Sequence, residues 1–86
     1  MIGVSVLLTG EQIRGARAML RMDQSTLAEA AGISVETVKR LEIQDGPLKS
    51  GRIGTIAAIE KALIAAGIEF TNGDEPGVKL RAKRKR

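Results

Sequence analysis

The chain contains no cysteine, no histidine, no tryptophan and no tyrosine, and it has one phenylalanine among 86 residues. Without cysteine it forms no disulfide bonds, which is typical of a reducing compartment, and we expect a cytoplasmic location. Without histidine and cysteine it lacks the commonest general base, the thiol nucleophile and most zinc ligands. We therefore predict that it is not an enzyme and binds no metal ion and no cofactor. Its core must be aliphatic.

Long apolar runs are also absent from the chain. The opening MIGVSVLL is apolar, but it lacks the basic start and the length of a signal peptide. No segment reaches the ~20 consecutive apolar residues that a membrane-spanning helix requires. The sequence therefore predicts a soluble protein that does not enter a membrane, with a length suited to one small domain.

The net charge of +4 is unevenly distributed along the chain. Six of the 14 basic residues lie in residues 79–86, KLRAKRKR, which contain no acidic residue. Residues 1–78 therefore hold eight basic and ten acidic residues, a net charge of −2. Because the main part of the chain is not basic overall, binding to a polyanion would depend on local placement of Lys and Arg. Residues 82–86 are predicted to be a disordered basic tail, which either contacts a polyanion or stays solvated.

Apolar residues recur with a helical period in four segments, which are bounded by residues typical of helix ends. Thr9 and Gln12 have the spacing of a capping box, and Asp23 and Ser34 are of the type that caps helix N-termini. Gly32 suits the left-handed conformation that often ends a helix. The predicted helices are residues 10–21, 24–31, 35–43 and 52–66.

The two ends of the domain have the pattern of extended structure. IEFT and VKLR, around the turn-rich NGDEPG, predict a β-hairpin at about residues 68–81. Within residues 2–8, apolar residues occupy every second position, at Ile2, Val4, Val6 and Leu8, which would allow this segment to form a strand. The predicted fold is therefore mainly α: one compact four-helix domain over residues 1–81 with a short C-terminal β-hairpin and an extended N-terminal segment.

Residues 24–43 have the pattern of two short helices that pack closely across a tight turn. Close packing requires a small residue one turn into the first helix, where Ala28 lies, and the turn requires a residue that tolerates positive φ, which Gly32 supplies. The second helix needs apolar residues facing the first, and it has Val38 and Leu41. Together these features predict a helix-turn-helix. The other inward-facing residues are Leu27, Ala31 and Ile33.

The segment DQSTLAEAAGISVETVKRLE resembles the helix-turn-helix of the phage-repressor and Cro-like family of bacterial and phage regulators. The resemblance covers about residues 9–66, where LTGEQIRGARAML is similar to the opening helix of many small members. IEFTNGDEPGVKLR is similar to the hairpin extension that some members carry. The resemblance implies a DNA-binding regulator whose second motif helix, residues 35–43, enters the major groove.

Early residues of that helix contact base edges in the resembling family. Arg40 can donate two hydrogen bonds to guanine, Glu36 can accept one from cytosine N4, and Val35 can contact a thymine methyl group. Val35 and Glu36 depart from the polar amides common at these positions, which leaves the preferred DNA sequence open. The implied base contacts are Val35, Glu36, Thr37, Lys39 and Arg40.

The resemblance also implies contacts to DNA phosphates. Gln24 matches the family glutamine at the start of the motif's first helix, where free N–H groups and the helix dipole favour an anion. The implied phosphate contacts are Gln24, Thr26, Ser34, Lys49, Ser50 and Arg52.

Arg17 lies in the apolar stripe of the first helix and needs a partner, and we expect a structural ion pair with Glu42.

These features predict a sequence-specific double-stranded DNA-binding protein that regulates transcription as a homodimer on two half-sites. Alternating apolar residues in residues 2–8 and in the hairpin would form the dimer interface; the alternative is that they only cover one end of the core. Lys39 and Arg40 could instead be solubility charges, and Glu36 could simply favour its helix N-terminus. A second class of function stays open: a protein-interaction module, such as an autoregulating antitoxin or an anti-activator.

Overall fold

The computed structural model describes residues 9–44, 53–71 and 77–81 of the chain. The described residues form four helices and two strands, and each helix end lies within one residue of its predicted position. The mainly α fold with a C-terminal hairpin is therefore confirmed. In chain order the elements are α1 (Gly10–Leu20), α2 (Gln24–Ala31), α3 (Val35–Glu42), α4 (Ile53–Ala65), β1 (Ile68–Thr71) and β2 (Gly77–Leu80).

The first three helices begin where polar side chains bind their free N–H groups. The Thr9 hydroxyl accepts from the Gln12 N–H at 3.1 Å, and the Gln12 side-chain oxygen accepts from the Thr9 N–H at 3.0 Å. Asp23 caps α2, and Ser34 caps α3. Each cap binds an N–H group that has no partner within the helix, so local sequence alone sets these three starting points.

Two of these helices end at a residue in the left-handed conformation. Gly32, with φ of 71°, ends α2 and allows the tight turn into α3. Arg21 has the same conformation, with φ of 55°, at the end of α1. Because a side chain disfavours this conformation, the sequence did not point to Arg21. Its N–H donates to Ala18, and the next N–H donates to Arg17, so the turn binds the last carbonyl groups of the helix.

The core is aliphatic, as the composition predicts, and it is formed by all four helices and β1. Leu27 and Ala28 of α2 are buried between α3 and α4, and the inward side of α4 is formed by Ile59 and Leu63. Ile56 of the same helix is half-buried against this cluster. The buried hydrophobic residues are Ile13, Ala16, Leu27, Ala28, Val38, Leu41, Ile59, Leu63 and Ile68.

The hairpin is an antiparallel pair in which Ile68 lies opposite Leu80 and Phe70 lies opposite Val78. Because side chains alternate along a strand, these four apolar residues share one face. β2 packs against α1, and β1 packs against α4. Gly15 of α1 allows the close approach of β2, since a methyl group there would lie 3.3 Å from the Val78 side chain.

Several predictions concern residues outside the described ones: the strand at residues 2–8, the loop residues Lys49, Ser50 and Arg52, and the basic tail at residues 82–86. Within the described part of the chain, no helix combines the length and apolar character needed to cross a membrane.

Candidate nucleic-acid interface

The two sides of α3 differ sharply in exposure. Val38 and Leu41 are buried in the core, with 0% and 1% of their surface exposed. Glu36, Lys39 and Arg40 are all exposed to solvent. Spacings of three and four residues place these three side chains on one side of the helix. An anchored inner side and a charged outer side are therefore properties of α3 itself.

The outer side of α3 is left uncovered by the other described elements. α3 is held mainly by α2 and by α1, which contact its inner side. The hairpin makes its main contacts with α1 and α4 instead. The predicted base-contacting helix therefore projects one charged face into solvent.

Three other predicted DNA-contacting residues at the start of α3 have contacts within the protein, unlike the side chains of the charged face. Val35 is half-buried and packs against the core, so its methyl groups are partly taken up by protein contacts. The Ser34 and Thr37 hydroxyl groups lie 2.9 Å apart and form a hydrogen bond with each other. The Ser34 hydroxyl also accepts from the Thr37 N–H at 3.2 Å. Of the five predicted base contacts, Glu36, Lys39 and Arg40 are exposed, whereas Val35 and Thr37 are half-buried.

The predicted phosphate contacts at the start of α2 also have partners within the protein. The Gln24 side-chain amide donates to the Glu42 carboxylate at 3.0 Å, which holds it against the end of α3. An amide has two N–H donors, so a phosphate contact would use the second one. The Thr26 N–H donates to Asp23 at 2.8 Å. Hydrogen bonds from the Thr26 backbone and side chain lower the pKa of Asp23, which is exposed.

The ion pair expected between Arg17 and Glu42 is present and joins α1 to α3. Arg17 Nε donates to one Glu42 oxygen at 2.7 Å, and Arg17 Nη2 donates to the other at 2.9 Å. Arg17 Nη1 also donates to the Met22 carbonyl at 2.9 Å. The hydrogen bond to Glu42 raises the pKa of the Arg17 guanidinium. Since the Glu42 side chain is only 3% exposed, this pair and Gln24 together hold the end of α3.

A second contact between α1 and α3 was not predicted from the sequence. The start of α1 lies against the end of α3, where Gly10 leaves no room for a side chain beside the Leu41 and Glu42 carbonyl groups. Arg14 donates to the Glu42 carbonyl at the same place. The partial positive charge of one helix start thus meets the partial negative charge of another helix end. The sequence feature that could have indicated this contact is Gly10, a small residue at the start of a helix that already has a strong N-cap.

Gln12 links α1 to the hairpin, a role that its capping pattern did not reveal. The residue is 3% exposed, and its amide group donates to the Gly77 carbonyl at 3.1 Å and to the Thr71 carbonyl at 3.4 Å. These carbonyls belong to the two paired strands. α1 therefore holds α3 through Glu42 and the hairpin through Gln12, and it fixes the position of one relative to the other.

No family model matches the chain, and no curated protein matches it. The function therefore has to be inferred from the charge and exposure of α3 and from the contacts that hold it.

Proposed function

We propose that the protein binds double-stranded DNA sequence-specifically by inserting α3 into the major groove, and that it acts in the cytoplasm as a transcriptional regulator. The observation that carries the proposal is the exposed side of α3, where Glu36, Lys39 and Arg40 project from a helix whose other side is buried. An α-helix with side chains is about 10–12 Å across, which matches a major groove about 12 Å wide.

The chemistry of this face suits contacts to bases. Arg40 can donate to guanine O6 and N7 together, and Lys39 can reach the same acceptors or a phosphate. Gln24, held by Glu42 at the start of α2, retains a second N–H donor for a phosphate beside the groove. The contacts of Glu42 with Arg17 and Gln24 favour specific binding, because a helix whose position is already fixed loses less entropy on association.

Homodimer formation is part of the proposal. A single module of this kind buries only ~600–1,000 Å² on DNA, and a dimer reads two half-sites about 34–36 Å apart. The hairpin supports this arrangement, because Leu80 is 49% exposed although it lies on the apolar face of the sheet. Met19, on the helix against which β2 packs, is 44% exposed. Sedimentation that shows only monomers at high micromolar concentration and on DNA would contradict the dimer.

Selection of bound DNA from a random pool at physiological salt tests the proposed function. The native protein should enrich one short sequence, arranged as two related halves if it binds as a dimer. Arg40→Ala should weaken binding about tenfold and relax selectivity at one position, whereas Lys39→Ala should weaken it and reduce its salt dependence. The matched control is Lys61→Ala, which removes an exposed cation from α4.

The control variant should bind the enriched sequence as the native protein does. If the native protein prefers no DNA sequence under these conditions, the proposal is wrong, and the fold would then serve a protein-interaction module such as an antitoxin.

A further inference from the structure

One acidic side chain lies on the face that is proposed to approach a polyanion. Glu36 is exposed beside Lys39 and Arg40. Within the described part of the chain its carboxylate forms no ion pair with either cation, whereas the exposed Glu69 of the hairpin pairs with Lys79 at 3.6 Å. A free carboxylate near phosphates is repelled, so Glu36 must oppose binding unless a DNA donor compensates for it.

The bases offer few donors to a carboxylate in the major groove. Guanine presents two acceptors there, and thymine presents an acceptor and a methyl group. Adenine has an amino group, but its N7 acceptor lies next to it and repels a carboxylate. Adenine N6 also has the paired thymine O4 on its other side, whereas cytosine N4 has an acceptor, the O6 of the paired guanine, on one side only. A cytosine therefore compensates for the negative charge of Glu36 better than any other base does.

Other residues at the start of α3 are poorly placed to provide this selection. Val35 packs against the core, and the hydroxyl groups of Ser34 and Thr37 are hydrogen-bonded to each other. Glu36 is the exposed side chain in the first turn of the helix. Arg40 follows one turn later, about 6 Å along the helix axis, which spans at most roughly two base-pair steps of 3.4 Å.

We infer that Glu36 and Arg40 specify the half-site: Glu36 selects a cytosine, and Arg40 selects a guanine one or two base pairs away. Glu36 acts here by exclusion as well as by contact, since its charge penalises every base that presents only acceptors. This inference rests on the proposed function and names the DNA sequence class that the same helix face would bind.

A competing explanation is that Glu36 only stabilises its helix. It is the second residue of α3 after the Ser34 cap, where a negative charge favours the helix dipole. α1 provides a matched control, because Glu11 occupies the same position after the Thr9 cap and is also exposed. Glu11→Gln therefore removes the same charge from the same helix position without touching the outer side of α3.

The test is selection from a random DNA pool with the native protein, Glu36→Gln, Glu11→Gln and Arg40→Ala. We expect the native protein to enrich a cytosine and a guanine one or two base pairs apart. Glu36→Gln should reduce the preference for cytosine at least tenfold and favour adenine, because an amide can pair with adenine N6 and N7. The guanine preference should remain in Glu36→Gln and be lost in Arg40→Ala. Glu11→Gln should select the native sequence. Circular dichroism and thermal unfolding verify that each variant is folded.

Different results would overturn the inference and the proposed function. If the native protein selects a sequence and Glu36→Gln selects the same one with the same strength, the inference is wrong and the proposed function stands. The inference is also wrong, and the proposed function also stands, if the sequence selected by the native protein lacks the cytosine. If the folded native protein selects no sequence at all, both are wrong.

Discussion

Gly10 of α1 lies directly against the Leu41 carbonyl group of α3, so that a methyl group at Gly10 would be 2.5 Å from the carbonyl oxygen and 3.0 Å from that of Glu42. Backbone atoms cannot move aside as the end of a side chain can. We therefore expect Gly10→Ala to lower the free energy of unfolding by about 1–3 kcal/mol, despite the better helix propensity of alanine. Chemical denaturation measures the change.

The matched control for this substitution is Gly54→Ala in α4. Among the described residues, apart from its chain neighbours and the backbone of its own helix, no atom lies within 4 Å of a methyl group placed there, and the residue is exposed. We expect Gly54→Ala to raise the free energy of unfolding by about 0.5 kcal/mol, because alanine restricts the unfolded chain. Equal effects of the two substitutions would show that α1 and α3 do not meet as closely as the structure indicates.

Glu42 is the acceptor that joins Arg17 and Gln24 at the end of α3. Glu42→Ala leaves the half-buried guanidinium without its carboxylate, and we expect the free energy of unfolding to fall by about 3 kcal/mol. Thermal or denaturant unfolding gives the value. A loss below about 1 kcal/mol would contradict a stabilising role for the pair.

A double substitution separates the loss of the pair from the loss of packing. Arg17→Met with Glu42→Leu replaces both charges by apolar side chains of similar length, so no charge is left buried. We expect this variant to be more stable than Glu42→Ala alone, because most of the single-variant effect comes from the stranded charge. If the double variant is less stable than Glu42→Ala, packing and the Gln24 contact contribute more to stability at this site than the charge pair does.

Gln12 joins α1 to both strands of the hairpin through the Thr71 and Gly77 carbonyl groups. Gln12→Ala removes these donors and the acceptor for the Thr9 N–H from a buried site, and we expect a loss of about 1–3 kcal/mol in the free energy of unfolding. Hydrogen exchange of the hairpin amides should also become faster. Glu11→Ala, at the exposed neighbouring position, is the control; an equally large effect there would assign the loss to the helix start alone.

Acid should weaken the cap of α2 through Asp23. Hydrogen bonds from the Thr26 backbone and side chain lower the pKa of Asp23 in the folded protein below its usual value of about 3.9. The unfolded chain therefore binds this proton first, so the contribution of Asp23 is fully present above pH 4 and is lost as the pH falls through the lowered pKa. Asp23→Asn keeps a capping side chain that does not titrate.

The measurement for Asp23 is the free energy of unfolding between pH 7 and pH 2 for both proteins. We expect the native protein to lose more stability below pH 4 than Asp23→Asn does. The other carboxylates are common to both chains, so their titration cancels in the comparison. Parallel curves would show that the Thr26 hydrogen bonds do not favour the charged form.

Much of the fold could be predicted because its signals are local in the chain. Thr9, Asp23 and Ser34 satisfy free N–H groups within the next turn, and Gly32 permits a conformation that other residues disfavour. The apolar period of α3 divides it into a buried and an exposed side before any partner is known. The Arg17–Glu42 pair could be expected, since a cation in an apolar stripe requires a partner.

The tertiary structure decided which polar groups meet across the fold. The sequence alone determined the helix boundaries, the aliphatic core and the charged outer side of α3, because caps and periodicity act over a few residues. It could not assign Gln24 to Glu42 or Gln12 to the hairpin, and it could not show that Val35 packs inward. These outcomes depend on the distance and angle between elements, which are set by how the whole core packs.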